Sequence, residues 1–124
     1  SYNGLEPFFA VFQMNASHMP YSNKYPQNFK KFNNDYDNSI LYTDYILYNV
    51  IQAVKNFKKP TILFFVSDHG EMLGEKGLRG HGFLEKEVYT VPFIYYANFK
   101  NLKIENLLKS SIFLTHYDIS QMIV

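Results

Sequence analysis

Apolar positions follow one rhythm in some stretches of the chain and a different one in others. Pro7–Met14 is a short, nearly unbroken apolar run, the pattern of a strand covered on both faces in a parallel sheet. Asn15–Asn34 is rich in Asn, Ser, Pro and Tyr. Pro20 and Pro26 forbid a continuous helix there, which predicts an ordered loop. Starting near Asp37–Asn38 the spacing changes. Ile40, Leu41, Tyr45, Leu47, Tyr48, Ile51 and Val54 recur every three or four residues and form one apolar helical face. Asp37 or Asn38 is placed to cap that helix, and Pro60 stops it beyond Lys59. Thr61–Val66 is β-branched and aromatic, the clearest strand, and ends directly on Ser67-Asp68-His69-Gly70-Glu71. Gly70, Gly74, Gly77, Gly80 and Gly82 follow within one loop. That density marks a backbone with unusual dihedrals or a close approach to a ligand. Val91–Ala97 is a third strand, with Pro92 tolerable at its start. Asn101–Ser111 holds a short helix, and Thr115–Val124 a further one capped by Thr115 or Asp118.

This alternation predicts an α/β fold: part of a three-layer domain, with helices covering a mostly parallel sheet. No linker or repeat divides the chain, so residues 1–124 are expected to form one structural unit. Composition agrees, with 47% hydrophobic and 19% charged residues, a globular rather than a disordered balance. The aromatic share of 19%, from 12 Phe and 11 Tyr, lets few positions build a core. The start, Ser1-Tyr2-Asn3-Gly4, has neither an initiator Met nor a signal-peptide pattern and reads as a cut inside a longer protein.

A net charge of +1 names no partner. Lys30 with Lys31, and Lys55 with Lys58 and Lys59, read as solvated surface rather than a nucleic-acid footprint. The absence of cysteine excludes disulfides and thiolate metal sites. No apolar run approaches the roughly 20 residues of a membrane span.

The chemistry-bearing residues gather in loops that follow predicted strands, where ligands collect in open α/β sheets. Asp68 and His69 end the clearest strand, and a carboxylate beside a neutral imidazole suits zinc or a similar divalent metal. His18 follows the first strand and His81 lies in the glycine loop. Each is an ordinary surface or capping histidine taken singly. Grouped beside a metal, they would meet the oxygens of a phosphate or sulfate ester and move a proton. Glu71 and Glu75 either orient a ligand imidazole or remain plain loop carboxylates. His116, beside Thr115 at a helix start, reads as capping or packing.

Three ordered motifs carry a resemblance. The run from Val66 through Asp68-His69-Gly70-Glu71, Leu73-Gly74-Glu75 and Gly77-Leu78 to His81-Gly82 resembles the metal-binding signature of the phosphoethanolamine transferases, members of the alkaline phosphatase/sulfatase superfamily. Met14–Pro20 with Tyr25-Pro26 resembles the family's Gly-Ser-His-Gly-Pro loop and the Tyr-Pro after it. Tyr36–Tyr45 resembles its Tyr-Asp-Asn-Thr helix start. Ala16 and Met19 stand where that pattern has glycines, Met72 where it has serine, and Arg79-Gly80 where it has Tyr-Leu.

The resemblance implies the C-terminal part of a sulfatase-like catalytic domain, with Asp68 and His69 as zinc ligands. It implies that His18 and His81 contact the transferred phosphoryl group or a second metal. It implies a protein anchored in the bacterial inner membrane, facing the periplasm, that moves phosphoethanolamine from phosphatidylethanolamine to lipid A or another surface acceptor. The phosphorylated threonine, like the membrane helices, would lie outside this chain. A sulfatase, phosphatase or phosphoglycerol transferase on the same fold is the alternative, as is an inactive binding domain. Because catalytic zinc sites usually have three protein ligands, the fragment alone is expected to bind metal weakly and to be inactive.

Overall fold

The computed structural model describes residues 6–15, 17–111 and 113–123. Ala16 of the His18 motif, the first five residues and the end of the last predicted helix, Val124, lie outside them. Among the described residues four α-helices and four strands follow one another: α1 (Asp35–Asn56), β1 (Ile62–Val66), β2 (Met72–Leu73), β3 (Arg79–Gly80), α2 (Lys86–Tyr89), β4 (Phe93–Ala97), α3 (Leu102–Ser110) and α4 (His116–Ile123). The residues group into two compact units, up to Val50 and from Ile51 onward, divided inside α1.

In the first unit, short 3-10 turns at Tyr21–Asn23 and Gln27–Phe29 order the polar loop. The cap of α1 differs from both residues expected for it. Asn34 Oδ1 accepts from the Asp37 amide at 2.7 Å, and Asn34 Nδ2 donates to the Asp37 carboxylate at 2.5 Å. This pairing across one turn satisfies a donor that the helix start leaves open. Asn38 lies inside the helix and is fully buried. Its Oδ1 accepts from the amides of Lys31 and Phe32, both at 2.8 Å. Its Nδ2 donates to the carbonyls of Phe32 and Asn34 and to Tyr25 Oη. Tyr25 Oη in turn donates to Asp35. That bond stabilises the protonated phenol over the phenolate and pushes the Tyr25 pKa upward. A buried amide with all its groups bonded is a strong local constraint, and here it ties the loop to the helix. Phe29 adds an edge-on ring contact with Tyr42 at 4.9 Å.

The strand expected over Pro7–Met14 does not form: no ladder among the described residues includes it. Phe9 is 71% and Phe12 85% exposed. An apolar run supplies propensity, but a strand exists only where another backbone takes its hydrogen bonds.

In the second unit β1 pairs with β4, with Ile62 opposite Ala97 and Val66 opposite Phe93. The α/β class holds, but the direction differs from the mostly parallel sheet expected: this ladder is antiparallel, as is the β2–β3 pair. A parallel return needs a crossover of a dozen or more residues, usually a helix. Between β1 and β4 the chain instead forms a small hairpin and the one-turn α2. Phe64 stacks on Phe93 across the ladder, with ring centroids 5.8 Å apart, a contact type that favours this register. Met72, Val88, Ile104 and Ile119 are buried, one each from β2, α2, α3 and α4. Asn98 fastens the end of α1 to the start of β1. Its Nδ2 donates to the carbonyls of Val54, Phe57 and Lys59, and its Oδ1 accepts from the Thr61 amide.

Candidate metal centre

The turn Ser67–Gly70 leaves the end of β1 and is braced at several points. Ser67 Oγ donates to the His69 carbonyl at 2.7 Å, and the His69 amide donates to Asp68 Oδ1 at 3.0 Å. The Gly70 amide donates to the Val88 carbonyl at 2.6 Å. Gly70 is required here by close packing: a Cβ at this position would sit 2.0 Å from the Glu87 carbonyl oxygen. The other glycines of the loop show the unusual dihedrals expected, with φ from 74° at Gly77 to 134° at Gly74. L-residues rarely adopt that region. The fully buried Met72 anchors the loop from within.

Asp68 is exposed and His69 half-buried. The His69 Nδ1 lies 2.9 Å from the Gly70 carbonyl oxygen. A carbonyl can only accept, so Nδ1 carries a proton, and in the neutral ring Nε2 keeps the lone pair. That is the tautomer of a metal-ligating imidazole. His81 comes alongside, its ring centroid 4.1 Å from that of His69, and its Nδ1 is 3.7 Å from Glu71 Oε1. Of the two loop glutamates, Glu71 lies nearest to an imidazole. The Glu75 carboxylate caps its own turn, accepting from the Leu73 amide at 2.6 Å. Backbone amides of this turn, with a contribution from the Arg79 charge, hold its pKa below the ordinary carboxylate value.

His18 belongs to the first unit, where its Nδ1 donates to the Met19 carbonyl at 2.6 Å. In the neutral ring its Nε2 also keeps a lone pair. The structure adds one residue that sequence reasoning assigned to capping or packing: His116, at the start of α4, places Nε2 2.7 Å from the Ser67 carbonyl oxygen. A bond spanning 49 residues leaves no local signal.

Among the described residues no three His, Asp or Glu side chains converge as a ligand set. The donor chemistry still fits a divalent metal. Asp68 offers a carboxylate and His69 an unprotonated Nε2 on a turn held by backbone bonds, and such a pair needs further ligands to hold zinc firmly.

The Sulfatase family model matches residues 2–122. The chain belongs to that family. It is 38% identical over 110 residues to the phosphoethanolamine transferase EptA of Helicobacter pylori, an alignment covering 71% of this chain and 21% of that protein. It is 27% identical over 113 residues to the Kdo(2)-lipid A phosphoethanolamine 7''-transferase of Escherichia coli K12, covering 75% and 20%. Among solved structures it resembles the C-terminal periplasmic domain of the phosphoethanolamine transferase EptC of Campylobacter jejuni. There the TM-score is 0.67 at 36% identity, over 76% of this chain and 38% of the other. This sulfatase-family chain thus spans about a fifth of the length of the curated relatives it matches, and its fold is that of part of the soluble domains of phosphoethanolamine transferases. No helix among the described residues is long and apolar enough to cross a membrane.

Proposed function

We propose that this chain supplies part of the catalytic domain of a zinc-dependent phosphoethanolamine transferase. The full-length protein would be anchored in the inner membrane with this domain in the periplasm. It would transfer phosphoethanolamine from phosphatidylethanolamine to lipid A or another surface acceptor, through a phosphothreonine formed outside this chain. Relatives that carry the transferase name, one of them a lipid A enzyme, support the reaction class. The observation that carries the site is the His69 tautomer: Nδ1–H bound to Gly70 leaves Nε2 as a metal donor beside Asp68.

Asp68 and His69 would hold the zinc, which when bound lowers the nucleophile's pKa and offsets charge on the phosphoryl oxygens. His81, oriented by Glu71, would donate to a phosphoryl oxygen or give a proton to the leaving group. His18 would do the same from its own loop, through Nε2. The isolated fragment would bind metal weakly and transfer nothing.

Lipid mass spectrometry of cells expressing the full-length protein tests the reading. His69→Ala is expected to abolish phosphoethanolamine addition. Unchanged addition would overturn the assignment.

A further inference from the structure

His116 opens α4, yet α4 does not need its ring. Thr115 and Asp118 already form a reciprocal cap. The Asp118 carboxylate accepts from the Thr115 amide and hydroxyl, both at 2.7 Å, and Thr115 Oγ1 accepts from the Asp118 amide at 3.3 Å. The imidazole is therefore available for a bond outside its own helix. Ile119 is three residues on and buried, and positions three apart share a helical face. His116 is itself exposed, and its Nε2–H meets the Ser67 carbonyl at 2.7 Å. Ser67 is the last residue before Asp68, and its hydroxyl is already committed to the His69 carbonyl. The Ser67 carbonyl belongs to the Ser67–Asp68 peptide, so fixing it fixes the plane from which the Asp68 side chain departs.

We propose that His116 is a positioning residue for the metal-site turn, holding the Ser67–Asp68 peptide so that Asp68 and His69 present their donors together. This rests on the reading of Asp68 and His69 as metal ligands. A displacement of about 1 Å in a catalytic group can cost on the order of 100-fold in rate, and groups that orient metal ligands typically change affinity or activity by about 10–100-fold.

The test uses the full-length protein, with zinc affinity measured by competition against a chromogenic chelator and kcat and KM measured on phosphatidylethanolamine. Asp68→Asn comes first: if it leaves zinc affinity unchanged, the metal-ligand reading itself fails. Once Asp68→Asn has weakened binding, His116→Ala is expected to lower zinc affinity about 10–100-fold and to reduce kcat with little change in KM. His116→Gln, whose Nε2–H has a similar reach, is expected to restore both. Thr115→Ala breaks the cap of α4 without touching the Ser67 bond and is expected to keep wild-type zinc affinity. Wild-type zinc affinity in His116→Ala overturns the proposal. So does an equal loss in Thr115→Ala, or a folded His116→Gln as weak as His116→Ala. If His116→Ala does not fold, His116→Met, without a donor, takes its place against His116→Gln.

Discussion

Two apolar runs in this chain lead to a histidine, and only one becomes a strand. Thr61–Val66 pairs through β1 with β4 and ends on a turn fixed by Ser67, Gly70 and His116. Pro7–Met14 is likewise rich in apolar and aromatic residues but joins no ladder among the described residues, and Phe12 stands 85% exposed. The difference lies in the partner, since side-chain pattern sets propensity and a second backbone decides whether a strand exists. The histidine after the paired run thus sits on a turn braced across the fold, whereas His18 bonds its own neighbour Met19.

Three perturbations bear on that contrast, and the largest falls on the held side. Gly70→Ala would drive its Cβ into the Glu87 carbonyl. Either the α2 segment or the Asp68-His69 turn must move, and overpacking of this kind costs about 3 kcal/mol. Urea unfolding of the chain is the measurement; a loss under about 0.5 kcal/mol would mean the turn is not braced as described. A smaller effect concerns the anchorage of α4. Hydrogen bonds from Thr115 hold the Asp118 carboxyl below its ordinary pKa. The stabilisation is therefore fully present above the ordinary value of 3.8 and is lost as pH falls through the lowered one. Amide exchange in α4, followed through mildly acidic to strongly acidic pH, should show protection falling in that range. In Asp118→Asn that acid-dependent step should disappear; its persistence would assign the step to another group. The smallest effect is expected on the unpaired side. Phe12→Ser should change the stability of this chain by less than about 0.5 kcal/mol, and a larger loss in thermal unfolding would erase the contrast.

The sequence made legible what is periodic or local. The long helix α1, the strand before Asp68 and the cap Thr115 all rest on spacings within one element. Less legible was anything that depends on a distant partner. The β2–β3 hairpin and α2 are too short to carry a period. Asn38 looked like a cap because its type suits one, but Asn34 had the matching carboxylate three residues on, and Asn38 went inside to hold the loop. Glycine density correctly foretold the positive φ angles but not that Gly70 is needed for room. The site divides the same way. Asp68 and His69 stood out from the strand before them, while the His81–Glu71 pairing and the reach of His116 to Ser67 are properties of the folded loop.

Asn98 has a consequence for anyone who would re-engineer the chain. Four short bonds from one carboxamide bind the residues on both sides of the Phe57–Pro60 connection. That connection is mostly exposed and carries two lysines, the usual profile of a splice point, yet it is a weld. Inserting a tag or opening new termini there would pull carbonyls off a shared donor. A graft belongs elsewhere.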